Sequence, residues 1–206
     1  MEAVCYRFAY KGDLMKIKLA LPVLMTLVSL QAFAAKAPAG AYQIDLNHSN
    51  IGFEVGHLGG ISLVVGRFDK FTGNIQFTPG GESHTTVEVD MASINTKVDQ
   101  RDKHLRSNTF FDVANFPTMK FESVKVEYDA DGNPISIHGN LTLHGQTRTL
   151  ILTVIPIGGG QASTGETRAG FKATGVVKRS EFGMNQLLPV VADEVTVILN
   201  VEAAQP

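Results

Sequence analysis

The chain has 206 residues, with 18 basic against 20 acidic side chains, 44% hydrophobic residues and a single cysteine, Cys5. A net charge of −2 argues against a nucleic-acid partner, and one thiol excludes a disulfide framework or a thiolate metal site. Core packing alone has to hold the protein together, which a chain of this length can manage.

In chain order, Met15-Lys16-Ile17-Lys18 precedes an apolar run, Leu19 to Ala34, that ends in Ala32-Phe33-Ala34. A basic start, a short apolar stretch interrupted by Pro22 and an A-x-A end describe a secretory signal peptide cleaved before Ala35, not a membrane span. Residues 1–14 add nothing such a leader needs, so Met15 is the expected start and 1–34 the region removed. The remaining 172 residues, 35–206, make one domain with 14 basic and 18 acidic groups and no cysteine.

From there the pattern is one of strands. Tyr42, Ile44 and Leu46 alternate with polar residues, as do Ile51, Phe53 and Val55, and Val87, Val89 and Met91. Ile75 and Phe77 end at the turn Pro79-Gly80-Gly81. Met119 and Phe121 share one parity while Val124, Val126 and Tyr128 share the other, which predicts a bulge near Ser123. After the turn Asp129–Pro134, Ile135, Ile137, Leu141 and Leu143 set one face; Leu150–Ile157 is apolar on both. A glycine-rich loop is expected over 158–166, then strands near 169–177 and 195–202, the last with Val195, Val197, Leu199 and Val201 inward. Eight or more strands joined by short turns leave a closed antiparallel barrel or a β-sandwich. An eight-stranded barrel has room for side chains or one small ligand, and a chain without Trp favours the second.

Chemistry is sparse. There is no G-x-S-x-G elbow, the Gly158–Gly160 loop lacks the Lys-Ser/Thr of a P-loop, and none of the six histidines falls in a tight ligand spacing. N-x-S/T occurs at Asn47 and Asn140 and matters only in a glycosylating host. The densest charge lies in Arg101, Asp102, Lys103, His104 and Arg106, within a stretch, 98–107, that has no period of two. This reads as a short helix with an Asp102–Arg106 pair at i,i+4. It is either a solvated face, or a polar lid or brace at one barrel mouth that offers Arg101, Asp102, His104 and Arg106 to a headgroup.

Six blocks, FEVGHLGG at 53–60, GRFDKFTGNIQF at 66–77, RDKHLRSNTFFD at 101–112, FPTMKFES at 116–123, GNLTLHGQTR at 139–148 and RSEFGM at 179–184, resemble the YceI family of exported proteins. The likeness runs from about Gly40 to Val201, with the blocks in family order. It implies an all-β, elongated, eight-stranded antiparallel barrel like a lipocalin, with one or two short helices, exported to the periplasm and often dimeric. It further implies a binder of polyisoprenoid or other long-chain lipid with no other cofactor, no metal and no catalytic residue. Phe53, Val55 and His57 fall on the second strand of that pattern, and Phe121 and Phe171 on its apolar tunnel. With inward parity, Phe77, Val89 and Leu141 complete the expected lining. The segment 185–192, NQLLPVVA, departs from the family by being unusually apolar for a barrel end. Two rivals stay open: an enzyme acting on such a lipid with His57 or His104 as base, and a stress or interaction protein whose barrel is simply packed.

Overall fold

The computed structural model describes residues 36–206. The expected leader, the start at Met15 and the cleavage before Ala35 lie outside these residues. Among the described residues no helix is long and apolar enough to cross a membrane.

Eleven strand segments form one antiparallel sheet: β1 (Gly40–Ile44), β2 (Asn50–His57), β3 (Ser62–Phe68), β4 (Phe71–Phe77), β5 (His84–Asp90), β6 (Ile94–Asn95), β7 (Thr118–Tyr128), β8 (Pro134–Leu143), β9 (Gln146–Gln161), β10 (Thr167–Lys178) and β11 (Val191–Ala204). Helix α1 (Asp99–Arg106) and two 3₁₀ turns, Met91–Ser93 and Arg179–Phe182, complete it. β1 and β2 lie end to end along one edge of β11, through Ile44 opposite Ala203 and Phe53 opposite Val197. β3 and β4 likewise succeed one another along β2 and β1, and β5 and β6 along β4 and β3. Read this way, eight broken or continuous strands follow one another around a ring that the β1–β11 pairing closes. The sandwich alternative falls because a sandwich leaves edges that this closure pairs.

The bulge predicted near Ser123 is present, since Ser123 faces Gly139 and Lys125 faces His138. Val124 is the extra residue, and it points outward, 70% exposed, instead of joining the inward set as its parity suggests. Two successive outward positions, 124 and 125, let both Phe121 and Val126 face the interior. The glycine-rich segment also departs from expectation. Gly158–Gly160 belong to β9, opposite Gly170, Ala169 and Arg168, and only the turn beyond Gln161 is a loop. The reason is steric: a Cβ on Gly159 would stand 2.6 Å from the Ala37 Cα, so glycine admits the incoming chain against the strand.

Inward residues form a large core that includes Phe68, Met91, Ile94, Leu143, Phe182 and Met184. A smaller cluster around Tyr42, Phe77, Ala169 and Ala203 packs at the end where β1 begins. Outside the barrel, Arg168 Nη1 bonds the carboxylates of Asp45, at 2.9 Å, and Glu202, tying the β1–β2 junction to β10 and β11. His48 Nδ1 lies 2.8 Å from the same Asp45 carboxyl. His48, then Arg168, hold the Asp45 carboxyl down at about 2, below its usual 3.8. A depressed folded-state pKa contributes stability that is full above about pH 4 and disappears as pH falls toward 2. Urea midpoints measured for the parent and Asp45→Asn should therefore differ at pH 6 and converge near pH 2; an equal gap at both would show that this carboxylate does not set the dependence.

Candidate functional site

Between the two clusters the barrel holds a cavity of about 140 Å³. Seating one water takes roughly 10–15 Å³ by this measure, so about ten solvent-sized groups fit, each close to a methylene in bulk. Of its 23 lining residues only Ser83 and Thr85 carry a polar side-chain group, and none is charged. Inward parity supplies the walls: Leu150, Leu152 and Val154 from β9, Ala173 from β10, and Val197, Leu199 and Val201 from β11. Phe121 stays against the wall because Gly139, on the neighbouring strand, has no side chain; a Cβ there would sit 2.3 Å from the ring.

Ser83 and Thr85 lie at the β5 end nearest Val126 and Pro134. The Tyr128 hydroxyl donates to Ser83 Oγ at 2.5 Å, and the backbone N–H of Thr78 also donates to it, at 2.8 Å. Ser123 is buried and accepts the Thr85 N–H at 2.7 Å. Inside the walls there is thus dispersion contact along nearly the whole length and hydroxyl chemistry at one place. Nothing in the lining can hold an ion or relay a proton through a charged group.

Of the residues expected to touch a ligand, Phe77, Val89, Phe121, Leu141 and Phe171 line this cavity. Phe53, Val55 and His57 do not. They share the inward parity of β2 but lie farther along it, toward α1, where Phe53 packs 6.0 Å from Phe68 and over Gly66. Val55 is buried opposite Val64 and Val195, and His57 pairs with Ser62 and Val191 at the strand end. Lining residues outside the expected set, such as Ile44, Ile51, Ile75 and Ala173, were all visible as inward positions of period-two strands. Ser83 carried no such signal, because it precedes its strand.

The contacts of the charged helix are those of a brace. The Asp102 carboxylate is buried and accepts both the Thr96 N–H, at 2.9 Å, and the Thr96 hydroxyl. Arg101 donates from Nε to Thr96 Oγ1 and from Nη2 to the Thr96 carbonyl, each at 2.7 Å. Arg106 Nη1 reaches the carbonyls of Ala92 and Ile94 at 3.3 Å. His104 stands edge-on to Phe110, 4.9 Å between centroids. None of the four lines the cavity. The expected Asp102–Arg106 pair is replaced: Asp102 is spent on Thr96 and Arg106 on two backbone carbonyls, so the helix braces the 91–97 segment. Asp102→Asn keeps the shape but loses a charge-assisted acceptor, and should cost about 2–3 kcal/mol in urea unfolding. A change under about 0.5 kcal/mol would deny the brace.

Among the described residues one three-residue group has ligating atoms close enough to share a cation, Asp45, His48 and Glu202. Arg168 already bridges both of its carboxylates, so a guanidinium supplies the positive charge there.

The comparisons with known proteins agree with this architecture. A YceI-like domain model matches residues 42–203. A UPF0312 protein of Yersinia pestis is 37% identical over 186 residues, which span 88% of this chain and 95% of the relative. A UPF0312 protein of Vibrio cholerae is 38% identical over 152 residues, 72% of this chain and 79% of that one. Among solved structures, the Campylobacter jejuni YceI protein superposes with a TM-score of 0.65 at 28% identity, covering 71% of this chain and 87% of its own. A polyisoprenoid-binding domain from Saccharophagus degradans does so with a TM-score of 0.60 at 19% identity, covering 80% and 98%. With a family model spanning nearly all the described residues, and relatives sharing more than a third of their positions, the chain belongs to the YceI family.

Proposed function

We propose that this barrel binds the tail of a polyisoprenoid or another long-chain amphiphile, for transport, storage or sequestration in the periplasm once the leader has been removed. The observation that carries the proposal is the cavity, about 140 Å³ with two hydroxyls and no charge among 23 lining residues. Burying ten tail carbons is worth about 8 kcal/mol at roughly 0.8 kcal/mol per methylene, near micromolar affinity before association costs. The name of the Saccharophagus degradans domain points to the same ligand class on the same fold. The apolar run before Ala35, with its A-x-A end, supports export.

An enzyme acting on the lipid fits less well. Its expected bases, His57 and His104, are both outside the cavity walls, and a base must come within hydrogen-bond reach of the proton it removes. The test is mass spectrometry of lipid extracted from natively purified protein. One long-chain species at close to one per barrel, chemically unchanged on incubation, is the expected result. Protein free of lipid that also takes up none when offered would overturn the proposal, and conversion of the lipid lost in His57→Ala or His104→Ala would replace it with an enzyme.

A further inference from the structure

The end of the barrel beyond His57 carries an apolar surface that the cavity does not explain. Two separate segments form it, the β2–β3 turn and the loop from Gly183 to Val190. They are joined by the Leu58 N–H, which donates to the Val190 carbonyl at 2.7 Å, and by Val191 paired with His57. Ile61 is 83% exposed, Leu63 60% and Leu187 52%, with Leu58, Leu188 and Val190 beside them. Leu58 and Leu187 both adopt the left-handed backbone region, at φ 52° and 62°, a conformation that costs a non-glycine residue energy and here leaves a leucine facing out.

We infer that this tip is a docking surface for the interfacial region of a lipid bilayer, choosing that occupant because the ligand class proposed above resides there. Three features favour a bilayer over a second protein copy. Residues 55–66 and 183–192 contain no Asp, Glu, Lys or Arg, so insertion desolvates no charge. Much of the loop's polar backbone is already bonded from within. Buried Arg179 donates to the carbonyls of Met184, Gln186, Val191 and Ala192, and the Leu187 carbonyl accepts the Val191 N–H. With these carbonyls bonded internally, fewer polar groups have to be desolvated or re-bonded when the loop enters the headgroup boundary. Finally, the half a dozen part-exposed aliphatic side chains of these two segments make a patch of roughly a few hundred Å², below the roughly 800 Å² per partner of a standard stable interface. Binding of this kind rests on apolar burial at the headgroup boundary and responds little to salt.

The chain contains no Trp, so one introduced indole reports its own surroundings. Leu187→Trp and Ile61→Trp are to be titrated with phosphatidylcholine vesicles, with Ile155→Trp on the outer barrel wall as reference. Blue-shifted emission and quenching by bromolipid are expected at both tip positions, equally at low and high salt, with the wall position unchanged. Ile61→Asp or Ile61→Ser in the Leu187→Trp background should weaken partitioning by at least about tenfold. Unshifted tip emission, an equal shift at Ile155→Trp, or a vesicle-independent shift that tracks dimer sedimentation would each overturn the inference, the last in favour of a second copy. Lipid content measured on the same preparations separates the two proposals. Vesicle docking by an empty barrel upholds the tip while the ligand reading fails, and a filled barrel that does not dock gives the reverse.

Discussion

An Ala173→Phe variant is expected to purify with at least about tenfold less bound lipid than the parent while remaining folded. Ala173 lies on β10 opposite Val154 and Leu199 and faces the cavity from the middle of its wall. A phenyl ring placed there takes up much of the 140 Å³ that the tail requires. Inserting bulk into a packed core costs about 1–3 kcal/mol, but here the ring enters existing space and gains contacts that the empty wall lacks. Ligand-free melting should therefore stay within a few degrees of the parent, while added lipid should raise the melting temperature of the parent alone through binding linkage. Val176→Phe, on the outward face of the same strand, is the control and should keep its lipid. If Ala173→Phe retains lipid at the parental level, the tail is not in this cavity. If it is destabilised by the full tight-core amount and the parent holds no lipid, the barrel is filled by its own side chains.

Arg179→Met is expected to produce the largest loss of stability, about 3–5 kcal/mol, because it removes a buried cation on which four carbonyls depend. Arg179 is 6% exposed, and burial pulls its pKa below the usual arginine value while nearby Asp193 pushes back. Asp193 itself is held by the Ser180 hydroxyl and N–H, at 2.7 and 2.8 Å. Methionine matches the length of the arginine stem and its packing but donates nothing, so the variant isolates the hydrogen bonds. At this chain size such a loss lowers the melting temperature by roughly 10 °C or more. Lysine should recover only part of it, since a single ammonium cannot span carbonyls that a planar fork reaches on two sides. A loss under about 1 kcal/mol would mean that water replaces the guanidinium and that the 184–192 loop holds its shape unaided.

The 3₁₀ turn that begins with Arg179 also plugs the barrel. Phe182 is buried, and His144 Nδ1–H donates to its carbonyl at 2.8 Å, with Phe116 stacked edge-on 4.7 Å from the imidazole. One short segment, 179–190, therefore holds an end of the apolar interior shut and presents the apolar tip outside. Loosening it through Arg179 acts on both.

Strand parity was readable in the sequence because it is local: whether Leu150, Leu152 and Val154 face inward depends on a period of two and on nothing distant. The same holds for the bulge at Ser123 and for the helix at 99–106, each marked by a break in that period; parity alone left barrel and sandwich open, and the β1–β11 pairing that closes the ring decided between them. Parity does not say how far along the barrel an inward residue sits. That is why Phe121 and Phe171 reach the cavity while Phe53 and Val55, inward by the same rule, pack beyond it. Depth is set by the register of pairing between strands, such as Ile44 opposite Ala203, which links residues more than 150 positions apart. Nor could the sequence assign partners to the charges at 101–106. Their i,i+4 spacing suggested a pair within the helix, and only the return of the chain at Thr96 made a buried backbone amide and hydroxyl the stronger claim on Asp102. The sequence by itself determined which residues turn inward; the closed sheet decided which of them surround empty space, because only strand register and the packing at the two barrel ends leave that space unfilled.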